Sequence, residues 1–175
     1  MTEPLPLIDV IVEAPQWETA DGTEAVVRRA LTEAAIAMGA DFKDRTLAVL
    51  LTDDAAIRRL NAQWRGIDKP TNVLSFPPAP SASEAFGATK SLGDIAIAYE
   101  TAAREAAEER KPLEHHLAHL AVHGFLHLLG YDHDSESTAA TMEQLEGVIL
   151  ARLGMPDPYL THEHAAPHVL QQARS

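Results

Sequence analysis

Polar and apolar positions alternate in "LIDVIVE", Leu7 to Glu13, which puts Ile8, Val10 and Val12 on one face and predicts a half-buried strand. The period changes over Thr23 to Met38. There Val27, Leu31, Ala34 and Met38 recur at intervals of three and four, predicting a helix, and Gly39 follows where a left-handed C-cap is wanted. "TLAVLLT", Thr46 to Thr52, is a continuous apolar run, as expected of a strand covered on both faces. Asp53 or Asp54 then offers an N-cap for a helix running to about Trp64. "NVLSF" (Asn72 to Phe76) and "DIAIA" (Asp94 to Ala98) predict two further strands, and the Pro-, Ala- and Ser-rich segment Pro78 to Ser91 between them predicts a mobile surface loop.

After Tyr99 no strand signal returns. A helix is expected from about Glu100 to Glu109, a second opened by Pro112 and continuing to Leu129, and a third capped by Ser135 or Ser137. The apolar stripe of the third is Met142, Leu145, Ile149 and Leu153, and it ends at Gly154. The order β-α-β-α-β-β-α-α-α predicts an α+β fold, a small mixed four-stranded sheet packed by helices. Residues 1–155 are expected to form a single domain, and 156–175, which carry no period, a loosely ordered tail.

Composition narrows the chemistry. The chain has 175 residues, 46% of them hydrophobic, enough for one real core. It has no cysteine, so a bound metal must be held by His, Asp or Glu, and the chain fits a reducing compartment. The start "MTEPLPLIDVIVEAPQWE" has neither a basic segment nor a long apolar run, and nothing approaches the roughly 20 apolar residues of a membrane span. A cytoplasmic protein with no membrane partner is expected. The net charge of −12 and pI near 5.1 argue against indiscriminate binding of nucleic acid, so any such role needs a local basic patch.

Histidines supply the candidate chemistry. His115, His119, His123 and His127 fall at successive i+4 steps on one face of the second late helix. Neighbours can share an ion, but i to i+8 spans about 12 Å, far beyond Zn–N bonds of about 2.0–2.1 Å. A third ligand must come from elsewhere. Gly130, just past Leu129, can end the helix and turn the chain so that His133 faces His123 and His127. Three neutral imidazoles leave a fourth position for water, the pattern of a catalytic zinc site, one ion per chain. His115, His116 and His119 are better read as solvated or packed, and the tail residues His162, His164 and His168 as exposed without specific role. Met142 sits at helical spacing with Leu145 and Ile149 and belongs to the core.

The spacing of "HGFLHLLGYDH", His123 to His133, is that of the zinc peptidase motif H-E-x-x-H-x-x-G-x-x-H, except that Gly124 stands where the catalytic glutamate belongs. Peptide hydrolysis would lose its acid–base partner. Phosphodiester cleavage depends less on such a group, because metal and arginine can stabilise charge on the phosphoryl oxygens.

Three blocks, "LNAQWRGIDKPTNVLSFP" (Leu60 to Pro77), "LGDIAIA" (Leu92 to Ala98) and "HGFLHLLGYDH", together resemble the YbeY rRNA maturation factors, which are metal-dependent endoribonucleases. The resemblance covers about residues 5 to 155. It implies a zincin-like fold, His123, His127 and His133 as ligands of one Zn2+, and a functional role for Arg65, which falls on the arginine of the family's "LNxxYR" block with Trp64 in place of tyrosine. Asn72 stands where many members have Asp. The implied activity is cleavage of single-stranded RNA in 3′-end maturation of precursor small-subunit rRNA and in ribosome quality control, with the ribosome and ribosomal proteins or assembly factors as partners. RNA would then meet Arg58, Arg59, Arg65, Lys69 and Lys90 near the metal, although Arg58 and Arg59 individually read as a solvated helix face. Two other functions compete. A non-catalytic, metal-stabilised ribosome assembly factor would use the same histidines, and a zincin-type metallopeptidase would need a glutamate near the metal, Glu114 or Glu136 being the nearest in sequence.

Overall fold

The computed structural model describes residues 4–19, 22–78 and 90–159. Its elements follow the order that the periodicities predict. They are strand β1 (Leu7–Val12), helix α1 (Thr23–Met38), strand β2 (Arg45–Thr52), helix α2 (Asp54–Arg65), strands β3 (Val73–Phe76) and β4 (Lys90–Ala98), and helices α3 (Tyr99–Glu108), α4 (Leu113–Leu128) and α5 (Glu136–Arg152). The expected caps close their helices. Asp53 accepts from the Ala56 N–H at 2.9 Å, Gly39 takes a left-handed conformation, and Ser135 forms a capping box with Thr138. A 3-10 turn, Pro15–Thr19, is added after β1 and sinks Trp17 into the core, its Nε1 donating to the Thr52 carbonyl at 2.9 Å.

The sheet order is β1-β2-β4-β3, with β1, β2 and β4 parallel and β3 antiparallel to β4. This is the small mixed sheet of an α+β fold. Among the described residues β3 pairs only with β4 and forms one border of the sheet. β4 begins at Lys90 rather than Asp94, because Arg45 and Thr46 of β2 offer Lys90 and Ser91 parallel partners that local composition does not reveal. The rest of the expected loop, 79–89, lies outside the described residues.

The two faces of the sheet are covered unequally. On one, α1, α4 and α5 close a large core that includes Leu31, Val49, Ile95, Leu120, Phe125 and Ile149. On the other, α2 places Ile57 over Leu74, Ala96 and Ala98. Consequently β2 is not sealed on both sides as its apolar run suggests: Leu47, Val49 and Leu51 are buried, while Ala48 and Leu50 are half-buried, Leu50 against the small cluster under α2.

α4 is buried continuously from His116 to Leu126, with α1, α3, α5, β3 and β4 all packed against it. Polar side chains on so enclosed a helix must find partners. Beyond α5, residues 156–159 fold back over the helix, and the Tyr159 hydroxyl donates to Glu146 at 2.6 Å. Residues 160–175, with His162, His164 and His168, lie outside the described residues. No helix among the described residues is long and apolar enough to cross a membrane.

Candidate metal centre

α4 ends in a Schellman arrangement: the Gly130 N–H bonds the His127 carbonyl at 3.0 Å, and the Tyr131 N–H reaches back to the Leu126 carbonyl at 3.1 Å. Gly130 has φ +102°, a conformation that side-chain-bearing residues rarely adopt. The reversal returns His133 to the helix end. One ring nitrogen from each of His123, His127 and His133 then lies within 4.8 Å of the others, close enough for the three to share one ion. His119, one turn upstream, takes no part and bonds Glu146 instead.

The state of these rings follows from their neighbours. His123 is buried, and its Nδ1 faces Glu146 Oε2 at 2.9 Å. Burial alone would raise the Glu146 carboxyl, but His119 and His123 outweigh it and hold the group well below the usual carboxylate range. An ionised carboxylate only accepts, so Nδ1 of His123 carries the proton and Nε2 keeps its lone pair. That Nε2 atom is buried without a hydrogen-bond partner, as are Nδ1 of His116 and His119, but of these three rings His123 alone belongs to the converging cluster, which fits a ligand atom. Burial, reinforced by His123 and His133, lowers the pKa of His127 to about 4, so its ring is neutral near pH 7 as metal binding requires. The residues present suit a divalent metal of borderline softness such as zinc.

The histidines line a cavity of ≈ 380 Å³ together with Arg65, Ser75, Asp132 and Asp134. Arg65 ends α2, where the backbone of Gly66, in the left-handed region, closes the helix on the Ala62 carbonyl. The helix end is thus capped without the arginine side chain. Gly124 faces the sheet: a Cβ there would sit 2.9 Å from Ile95 Cγ2 and 3.2 Å from Ser75 Oγ, and the Ser75 hydroxyl donates to the Gly124 carbonyl at 3.0 Å. A glutamate at 124 has no room, and neither Glu114 nor Glu136 lines the cavity.

Comparison with known proteins agrees with this geometry. The family model "Endoribonuclease YbeY" matches residues 11–154. Proteins named Endoribonuclease YbeY from Rhodopseudomonas palustris (strain BisA53) and Nitrobacter hamburgensis are 58% and 56% identical over 161 and 167 residues, covering 91% and 93% of this chain and 94% and 86% of theirs. The chain belongs to the YbeY endoribonuclease family. The solution structure of TM1509 from Thermotoga maritima shares the fold, with a TM-score of 0.50 over 85% of this chain and 92% of that one at 22% identity.

The three YbeY-like blocks meet at one place. Leu60 to Pro77 contributes Arg65 and Ser75, the histidine block supplies the triad, and Leu92 to Ala98 packs beneath the helix that carries it, Ile95 lying against Gly124. Of the five basic residues expected near the metal, Arg65 alone lines the cavity. Arg58 is engaged with Asp68 at 2.8 Å, and Arg59, Lys69 and Lys90 are exposed elsewhere. Asn72 is buried and structural, its Nδ2 donating to Glu105 at 3.0 Å and its Oδ1 accepting from the Val73 N–H at 2.7 Å. His116, bonded to the same Glu105 at 2.8 Å, is packed as expected. The periodicity did not reveal Glu146, Ser75, Asp132 or Asp134. A signal existed for Glu146, which lies four residues after Met142 on α5. The buried face there runs through Met142, Glu146, Ile149 and Leu150, with Leu145 only half-buried.

Proposed function

We propose that this chain is a zinc-dependent endoribonuclease that cleaves single-stranded RNA, acting on precursor small-subunit rRNA in the cytoplasm. The observation that carries the reading is the meeting of three imidazole nitrogens within 4.8 Å at a cavity that Arg65 also lines. His123, His127 and His133 would hold one Zn2+, which when bound supplies a charge for phosphoryl oxygens and an acidified water. Glu146 fixes the His123 ring by accepting its Nδ1 proton, so the opposite nitrogen is presented without a rotamer search. The Arg65 guanidinium, free of a capping duty, can grip two oxygens of the scissile phosphate at once. Such positioning and charge stabilisation form the larger part of phosphoryl-transfer catalysis.

A peptidase reading is disfavoured because the sheet occupies the place of its glutamate. An assembly factor that uses metal only to fix its fold would have no need of an arginine beside an open cavity. The test is metal analysis of protein purified without chelator, together with cleavage of a single-stranded RNA. One zinc per chain and chelator-sensitive cleavage are expected, and metal-dependent peptide hydrolysis without RNA cleavage would refute the proposal.

A further inference from the structure

We propose that Trp64 is a stacking platform for an unpaired base of the RNA whose phosphate lies at Arg65, an inference that rests on the endoribonuclease reading above. Trp64 is 65% exposed, unusual for so large an apolar side chain, yet its ring is seated against Phe76 with centroids 5.8 Å apart. It is therefore presented to solvent and also fixed in place, so little side-chain entropy is lost when a flat ligand covers it. The next residue, Arg65, lines the metal cavity. Phe76 follows Ser75 and precedes Pro77, both of which line that cavity too.

The two sites lie on opposite sides of β3. Ser75 points toward α4, where it bonds Gly124, and Phe76, one residue on, points toward α2. Among the described residues β3 borders the sheet, so the cavity and Trp64 are separated by this one short strand. A rigid duplex cannot bend so sharply or expose a base face, so the same geometry favours unpaired RNA.

Charge gives the arrangement its purpose. A chain of net charge −12 with one cavity arginine has little to offer a polyanion through phosphate contacts alone. Stacking on an aromatic ring needs no positive charge and accepts every base. Affinity for RNA then comes from the ring, and catalytic charge from Arg65.

The chain's two tryptophans make the test direct. Trp17 is 0% exposed, so a change in emission on adding RNA reports Trp64. Full-length, zinc-loaded protein is titrated with 12-mer oligo(rA), with oligo(rU) and with an RNA duplex, and cleavage is measured for wild type, Trp64→Phe and Trp64→Ala. Expected are quenching by single strands, strongest with the purine, and little by duplex. In Trp64→Ala the KM should rise by about tenfold or more with kcat, zinc content and Tm unchanged, and Trp64→Phe should restore part of the affinity. Binding of RNA without quenching, no binding at all, or a KM in Trp64→Ala within about twofold of wild type would overturn the proposal. If the wild type binds and is quenched but does not cleave, the endoribonuclease reading fails while the platform stands.

Discussion

α4 uses its histidines in two different ways. In its first half, His116 and His119 are buried against carboxylates, Glu105 from α3 and Glu146 from α5. In its second half, His123 and His127 join His133 at the wall of an open cavity; His116, His119 and His123 each leave one buried ring nitrogen unpartnered, but of these three only His123 belongs to the converging cluster. The difference lies in what packs over each turn. Where α3 and α5 close over the helix, the rings are enclosed against carboxylates, and where the helix emerges beside β3, His123, itself held by Glu146, meets His127 and His133 at a cavity. Glu146 joins the two halves, with one oxygen on His119 and Tyr159 and the other on His123.

The comparison breaks most completely if a histidine of the first half proves to be a ligand. His123→Ala, His127→Ala and His133→Ala should each abolish bound zinc and RNA cleavage, whereas His119→Ala should keep the metal and lose stability, since the buried Glu146 carboxylate loses one of its three partners. Metal content and Tm on the four purified variants decide this, and zinc retained in His133→Ala would overturn the assignment. Next in size is Arg65→Ala, expected to lower the rate at saturating RNA by about 100-fold with metal and Tm unchanged. Arg65→Lys should recover only part of it. A drop in Tm with an unchanged rate would make the residue structural.

Glu146→Gln sharpens the link between the halves. It keeps an oxygen for one histidine and loses it for the other, so zinc affinity should fall by roughly 10- to 100-fold, read by competition with a chelating dye. Unaltered affinity would confine Glu146 to packing. The smallest effect is expected at Gly124→Ala, where the methyl meets Ile95 and Ser75. A loss of about 1–3 kcal/mol in stability is expected, seen by urea denaturation, with the metal retained.

Much of this arrangement could be read from the chain. The i+4 spacing of His123 and His127, with a glycine at 130 to turn the helix, is a local pattern, and local patterns survive folding. So did Arg65 beside Gly66 and the three-and-four period of α1. What could not be read depends on contacts between distant segments. Glu146 becomes visible only when α5 is laid beside α4, and a stripe containing Leu145 hid the rotation that buries it. The early start of β4 at Lys90 is set by its partner on β2. Neither the border position of β3 nor the half-covered second face of the sheet leaves a trace in the periodicity of any one strand.

That border strand has a consequence for chain–chain association. An unpaired strand edge is ordinarily a template onto which another extended polypeptide can add, whether a ligand peptide or a second copy. β3 offers only the short run Val73–Phe76 before Pro77 and Pro78, neither of which has an N–H to donate. An incoming strand would find too few hydrogen bonds to register against. The described part of the edge beside the histidine cavity thus gives little purchase to an added strand or to self-aggregation through backbone pairing.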